Sequence, residues 1–176
     1  MLGRLSGVQS EVDPQNLQHP VLAFLKRYWD LKRGPRIMPS RADIRPSEMK
    51  EHLGWIVMLD ALPDFSDFRY RTIGTRVTQY FLSDSTGKTI TEAFQSYGPA
   101  AVDCFLWTHR QAAQARVGVR VFGDASWLGR SFLDFDALVL PLSDDGNVAN
   151  KILSAFIFDV SAQLQVRPAP PSDKKV

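Results

Sequence analysis

Two carboxylates stand two residues apart in the segment FLDFDAL, where Asp134 and Asp136 flank a phenylalanine. Side chains at this spacing lie on the same face of a β-strand. Paired carboxylates can act as general acid and base when burial raises the pKa of one of them. Because neither a serine-nucleophile motif nor a glycine-rich phosphate loop accompanies the pair, a solvated strand face is the favoured interpretation. An enzyme that uses Asp134 and Asp136 is the weaker alternative.

His109 lies in a segment from Pro99 to about Arg116 whose apolar residues line one face of a helix. An imidazole in such a stripe can ligate haem iron when its second nitrogen is held by an acceptor. A packed, hydrogen-bonded core histidine is the more common outcome, so no cofactor is predicted and haem through His109 remains an option. The other two histidines, His19 and His52, have no metal-ligand spacing with it or with each other, so no metal site is predicted.

Three arginines in the segment PRIMPSRADIRP are candidates for an anion-binding or partner-binding edge: Arg36, Arg41 and Arg45. Guanidinium groups suit bidentate contacts with carboxylates and phosphates. Arg41 also has a structural alternative, in which it pairs with Asp43 or with a backbone carbonyl and fixes the loop. That structural role is the favoured one.

Charge and cysteine content exclude several classes of function. The chain has 176 residues and a net charge of +2, which is too balanced to indicate a nucleic-acid partner. One cysteine, Cys104, can form neither an internal disulfide nor a thiolate metal site. No apolar run is long enough for a membrane span or a signal peptide. We therefore expect a cytoplasmic protein without a membrane partner.

The segment FRYRTIGTRVTQYF, residues 68–81, changes its periodicity at Gly74. Before the glycine the side chains alternate, which is typical of a strand with one face in a core. After it, Val77, Tyr80 and Phe81 follow a helical spacing. We expect a strand that turns at Gly74 into a short helix, leaves the sheet and folds over its face.

An amphipathic helix is predicted in HPVLAFLKRYWDLKRGP, with Pro20 in its first turn and Gly34 at its end. Its apolar face consists of Val21, Leu22, Leu25, Tyr28 and Trp29. This face must dock either on the protein's own sheet or on a second copy, and both alternatives remain open.

The other elements predict an α+β domain. A strand in residues 55–62 starts a hairpin that ends at residue 73, a short helix lies near Ile90–Phe94, and three strands close the chain, with SDDGN as the turn between the last two. Strands at both ends with helices in the middle imply an antiparallel sheet with helices over one face. The hollow between the long helix and the sheet would be the usual place for a small ligand. The predicted divisions are a flexible leader (1–16), a helix (17–34), a domain (35–165) and a disordered tail (166–176).

Two long segments resemble the PAS domain family. DFRYRTIGTRVTQYFLSDSTGKTITEAF is similar to its early core, and LVLPLSDDGNVANKILSAFIFDVSAQL to its closing hairpin, which ends near an acidic residue, here Asp159. MPSRADIRPSEMKEHLGWIVMLDAL followed by FRYRTIGTRV resembles a bacterial PAS subfamily of mostly stand-alone domains, formerly classed as of unknown function. The resemblance covers residues 20–163.

The resemblance implies a five-stranded antiparallel sheet with strand order 2-1-5-4-3 and a role in sensing or protein–protein signalling. It also implies a homodimer, since PAS domains commonly dimerise through a flanking helix, and it singles out Arg41 among the arginines. Haem-binding relatives place their iron ligand where His109 stands. A flavin is not expected, because light-sensing relatives carry their cysteine in an Asn-Cys-Arg-Phe-Leu-Gln stretch before the long helix, whereas Cys104 lies in VDCFLWTH inside it.

We therefore expect a non-enzymatic, single-domain sensory or signalling protein that contacts a protein partner and binds a small apolar or aromatic ligand. The alternative is a structural adaptor or dimerisation domain whose interior is filled by its own side chains, for which 11 phenylalanines and 4 tryptophans are ample. The candidate pocket residues are Tyr70, Val77, Phe81, Phe94, Phe105, Leu106 and His109.

Overall fold

The computed structural model describes residues 5–80 and 84–160. The strands in these ranges are β1 (Val8–Val12), β2 (Ile56–Ala61), β3 (Phe68–Ile73), β4 (Val119–Asp124), β5 (Leu133–Leu142) and β6 (Lys151–Val160). The α-helices are α1 (Pro20–Arg33), α2 (Thr75–Tyr80), α3 (Ile90–Phe94) and α4 (Pro99–Ala115). Short 3-10 turns connect several of them.

The strands form one antiparallel sheet in the order β1-β4-β5-β6-β2-β3. Alternate residues of β5 point to opposite faces. Phe135 lies against Phe105 of α4, whereas Leu138 and Leu140 lie near Gly118, close to which Lys26 of α1 also lies. The α4 helix therefore covers one face of the sheet, called here the inner face, and α1 covers part of the outer face. The α+β class with an antiparallel sheet is as predicted.

The predicted count of five strands is wrong, because β1 adds a sixth strand beside β4. The order therefore differs from the predicted one by this strand at the edge. Residues 8–12 were expected to belong to a flexible leader, and they form β1 instead. Val8 is half-buried and the next four residues are exposed, so the segment has no apolar alternation. Its backbone pairing with β4 holds it in the sheet, and a hydrophobic pattern cannot reveal that.

The corner at Gly74 has the predicted form. β3 ends at Ile73, and α2 begins at Thr75. The Gly74 N–H donates to the carbonyl of Ile56, and its own carbonyl accepts from Val77 in the first turn of α2. Phe81, the last residue of the quoted stretch, lies outside the described residues, as does the predicted tail (166–176).

The apolar face of α1 docks on the protein's own sheet. Its five predicted members, Val21, Leu22, Leu25, Tyr28 and Trp29, are all buried. The Nε1 of Trp29 donates to the carbonyl of Pro141 in β5 over 2.8 Å. Of the two alternatives left open by the sequence, docking within one chain is the one present here.

Across residues 5–80 and 84–160, no helix has the length and apolarity needed to cross a membrane.

Candidate functional site

An aromatic interior lies between α4 and the inner face of the sheet. Phe105, at the centre of α4, has its ring centroid 4.4 Å from that of Phe94 in α3. It also lies 5.5 Å from Phe156 of β6 and 6.0 Å from Phe135 of β5. These ring distances are those of packed aromatic pairs. The interior is therefore built largely from side chains that touch one another.

The structure brings the described pocket candidates into one core. Tyr70, Val77, Phe94, Phe105, Leu106 and His109 are all buried and belong to or line the same hydrophobic cluster. Phe94 and Phe105 are in ring contact, and His109 is hydrogen-bonded to the backbone of Phe105. Phe81 is the one candidate that lies outside the described residues.

His109 holds a fixed tautomer. Its Nδ1 lies 2.7 Å from the carbonyl oxygen of Phe105, one helical turn earlier. Because a carbonyl only accepts, Nδ1 carries the proton and Nε2 presents a lone pair. Nε2 is buried and has no hydrogen-bond partner among the described residues. Burial lowers the pKa of His109 from 6.5 to about 4, although the bond to Phe105 and the charge of Asp67 oppose this shift, so the ring is neutral at pH 7.

Ser154 supplies a second buried polar atom that also lacks a hydrogen-bond partner within the described residues. It lies on β6 two residues before Phe156, which contacts Phe105. Residues two apart on a strand share a face, so Ser154 faces the interior as well. Sequence reasoning missed this residue. The available signal was a single hydroxyl within the apolar run KILSAFIF.

Arg110 holds the turn before β3 by hydrogen bonds to its backbone, and this turn fixes the start of β3 beside His109. Arg110 of α4 donates to the carbonyls of Phe65 and Ser66 at 2.9 Å and 2.6 Å. This contact holds the turn in which Phe65 adopts a left-handed backbone with φ of 52°. Phe68, which follows the turn, places its ring centroid 5.3 Å from that of His109. Arg110 was also missed from sequence, because its partners are backbone carbonyls that no residue type reveals.

Asp67 ties the same turn to α3. Its Oδ1 accepts from the backbone N–H groups of Phe68 and Ile90, at 2.7 Å and 3.1 Å. The side chains of Thr89 and Glu92 close a capping box at the start of α3. Such caps pair N–H groups that the first turn of a helix leaves free. Asp67 therefore anchors β3 to the helix that carries Phe94.

Two of the three candidate arginines, Arg36 and Arg41, use their guanidinium groups for contacts within their own loop, whereas the contact of Arg45 comes from its backbone. Arg36 pairs with the Asp43 carboxylate at 2.8 Å, and the Arg41 guanidinium donates to the carbonyl of Ile44 at 3.0 Å. The Arg45 N–H donates to the hydroxyl of Tyr28 at 2.9 Å. Arg41 thus has the backbone contact that its structural interpretation required, and Arg36 takes the place beside Asp43.

Asp134 and Asp136 lie on the outer face, away from His109. The Asp136 carboxylate receives two hydrogen bonds from the Arg120 guanidinium, at 2.8 Å and 2.7 Å, in the bidentate geometry that suits this pair. Both aspartates line an open groove of about 690 Å³ next to α1. His19, at the same groove, accepts from the Val21 N–H and so caps α1. Asp136 is therefore held by an ion pair at this surface, and Asp134 lines the same groove.

Two observations concern metal binding and thiol chemistry in the part of the chain that the structure describes. No group of three or more His, Cys, Asp or Glu side chains there could hold a metal ion. Cys104 is buried, and burial raises the pKa of its thiol to about 11. A thiol in that state is a poor nucleophile at neutral pH.

A family model described as PAS domain matches residues 17–157. Comparison with curated proteins and with solved structures gives no match. The matched range extends from just before α1 into β6, and so includes His109, the aromatic interior and the Gly74 corner. The antiparallel sheet with helices across its inner face fits this family, whose members are sensory or signalling domains and generally not enzymes. The chain belongs to the PAS domain family.

Proposed function

We propose that this protein is a non-enzymatic sensory module that binds a small, mostly apolar ligand between α4 and the inner face of the sheet. Binding would be passed on to a protein partner through the module's surface. The observation that carries the proposal is the buried Nε2 of His109, which lacks a hydrogen-bond partner among the described residues.

An unpaired buried acceptor destabilises a fold by about 1–3 kcal/mol relative to a paired one. The neighbours of His109 include Phe68, which cannot supply a donor. A ligand hydroxyl or N–H would satisfy Nε2 and remove this penalty. The geometry therefore favours a neutral ligand with one donor group and an apolar body.

The charge of the ligand follows from the state of His109. Burial depresses the pKa of its imidazole, so His109 offers a neutral acceptor and no positive charge to a carboxylate or phosphate. An ionised group in this interior would carry a large desolvation penalty. Alcohols, phenols and indoles fit these requirements better than acids do.

The second candidate is an adaptor domain whose interior is filled by its own side chains. The close ring contacts of Phe105 with Phe94, Phe135 and Phe156 favour it. In that case the unpaired Nε2 is a residual defect of the core. The two candidates differ in what they predict when the imidazole is replaced by an apolar side chain. A sensory module should lose its bound molecule, whereas an adaptor domain should become more stable.

The absence of enzymatic activity is part of the proposal. It is supported by the engagement of Asp136 with Arg120, which leaves that carboxylate paired instead of poised for proton transfer. We also place the domain in the cytoplasm, since a single buried cysteine, Cys104, suits a reducing compartment.

The test is mass spectrometry of the full chain, purified without denaturation, and of its organic extract. We expect a co-purified small molecule in the native protein and its loss in His109→Leu. Thr108→Val is the matched control: Thr108 is the buried neighbour on α4, and its hydroxyl bonds the Cys104 carbonyl instead of facing Nε2.

A native protein without any bound molecule, together with a His109→Leu variant that is more stable than the native chain, would establish the adaptor alternative. Loss of the molecule from both His109→Leu and Thr108→Val would show a general disturbance of α4 and remove the support for a specific role of Nε2.

A further inference from the structure

The two edges of the sheet differ. At one edge, β3 is covered by the segment that leads to α3: the Tyr70 N–H donates to the Lys88 carbonyl, and the Tyr70 carbonyl accepts from Gly87. Arg69 also forms a bridge with Thr89. At the other edge, β1 pairs with β4 on one side, and no strand in the described ranges pairs with its other side. An uncovered strand edge is a template for pairing with another chain.

The phase of the β1–β4 ladder shows which backbone groups point outward. The Asp13 N–H donates to the Gly118 carbonyl, which continues the register that sets Val12 opposite Val119. In an antiparallel pair the residues alternate between bonding toward the partner and away from it. Val8, Ser10 and Val12 therefore turn their backbone groups to the open edge. The Val8 N–H is already donated to the Leu5 carbonyl.

We propose that β1 forms an intermolecular sheet with β1 of a second copy, in antiparallel register centred on Ser10. In this register the two Ser10 residues exchange both of their backbone hydrogen bonds. The Val12 N–H of each copy donates to the Val8 carbonyl of the other. The two outward N–H donors of each strand, those of Ser10 and Val12, are then all paired. The Val8 N–H, which already has a partner, is not needed.

The side chains of β1 are compatible with the same register. Gln9 of one copy lies opposite Glu11 of the other, so an amide meets a carboxylate and no like charges face each other. Val8 lies opposite Val12, whose side chain is 50 % exposed in the single chain. The apolar surface of Val12 would then be covered by a valine.

The strand also lacks the two residue types that most often block edge pairing. VQSEV contains no lysine and no proline, the residues that most often protect an exposed edge. Backbones with positive φ at Gly7 (77°) and Asp13 (51°) delimit the strand at both ends. A second copy is the favoured occupant because a two-fold axis at Ser10 pairs the outward backbone N–H groups of both strands at once. An unrelated peptide would have to match this hydrogen-bonding pattern by chance.

This interface differs from the helix-mediated dimer expected from the sequence. The apolar face of α1 is buried against its own sheet, whereas β1 stays accessible when α1 is docked. Five residues a side give a small contact compared with the roughly 800 Å² per partner of a stable interface. We therefore expect a weak dimer, with a dissociation constant on the order of 10 μM.

The experiment is sedimentation equilibrium of the full chain over a wide concentration range. Ser10→Pro removes the central donor without touching the β1–β4 ladder, since that N–H points outward, and we expect a monomer at every concentration. Gln9→Glu places carboxylates opposite Glu11 twice in the dimer, and Gln9→Lys places an ammonium there twice. We expect a weaker and a tighter dimer respectively, each by on the order of tenfold.

Opposite changes for the two exposed substitutions at Gln9 test the register, and neither substitution alters the core. A native chain that is monomeric up to the highest concentration overturns the proposal. So does a dimer that Ser10→Pro and Gln9→Glu leave unchanged, because its interface would lie elsewhere. Circular dichroism of each variant checks that it is folded, and the Gln9 pair still decides the matter if Ser10→Pro disturbs β1.

Discussion

The indole N–H of Trp29 donates a 2.8 Å hydrogen bond to the backbone carbonyl of Pro141. The bond joins α1 to β5 across more than a hundred residues of sequence and is buried. It pairs a backbone carbonyl of β5 with a donor from the helix that covers the outer face. The contact therefore identifies α1 as part of the domain itself.

Trp29→Phe should keep most of the ring contact and leave the Pro141 carbonyl unpaired. We expect a loss of about 1–3 kcal/mol in the free energy of unfolding, measured by urea denaturation. Leu31→Ala on the same helix is the control, because Leu31 is 78 % exposed, and its effect should stay below about 0.5 kcal/mol. If α1 were docked on a second copy instead, the loss of stability would depend on protein concentration.

Gly74→Ala should disrupt the corner between β3 and α2. A Cβ at Gly74 would clash with the carbonyl group of Gly54 and with the carbonyl oxygen of Leu53, and these backbone atoms cannot move aside as the end of a flexible side chain could. We expect a loss of about 3 kcal/mol or more in stability, measured by denaturant unfolding.

The matched control for this prediction is Gly54→Ala. Its Cβ would meet the Cγ of Arg76 at 2.9 Å, and Arg76 is an exposed, flexible side chain that can move. Its effect should be clearly smaller than that of Gly74→Ala. Equal effects would show that the approach of the two backbones is not what requires glycine at the corner.

Stability should fall as the pH decreases from 6.5 to about 4 because of His109. Burial lowers the pKa of its imidazole to about 4, so in this window the unfolded chain binds a proton that the folded chain does not. The full loss would be about 3 kcal/mol at pH 4. Above pH 6.5 His109 is neutral in both the folded and the unfolded chain, so it no longer makes stability depend on pH. Urea unfolding at several pH values from 7.5 to 4.5 measures the slope.

The His109→Leu variant should flatten most of that slope. His19 keeps a smaller contribution of the same sign, since burial also lowers its pKa. Carboxylates such as Asp145, whose pKa is lowered by the N–H groups of Asn147 and Val148, act below this window, near the ordinary value of 3.8. An unchanged slope in His109→Leu would contradict the assignment of the pH dependence to this residue.

Haem addition should give no Soret band that depends on His109. The Nε2 lone pair has the electronic requirement for an axial ligand, but the His109 side chain is buried and the Phe68 ring packs beside it, with its centroid 5.3 Å from that of the imidazole. Absorption spectra of the native chain and of His109→Leu, each with added haemin, make the comparison. A sharp band present in the first and missing in the second would contradict this prediction.

Periodicity in the sequence was sufficient to predict the helices and strands that have an apolar face. The helical stripe of α4, the apolar side of α1 and the change of period at Gly74 all correspond to structure. In each case side chains enter a core, and burial leaves a pattern of residue types. Whether α1 docks on its own chain or on another cannot be derived from that pattern, since both surfaces are equally apolar.

Elements held by backbone contacts leave no such pattern. β1 was missed because its side chains are largely exposed, and Arg110 because it binds carbonyl oxygens. The same limit applies within the site. The apolar stripe around His109 could be seen in the sequence, but the tautomer of its ring depends on the Phe105 carbonyl, which has no counterpart in residue type.

The sheet is a single layer, with α4 packed on its inner face and α1 on part of its outer face. Along β5, Phe135 faces the aromatic interior, and the adjacent Asp136 holds Arg120 at the outer surface. One peptide unit thus separates a side chain that a bound molecule would push from an ion pair that a neighbour would feel. In the proposed sensory role, a displacement of β5 would move both side chains together, without a hinge and without a second domain.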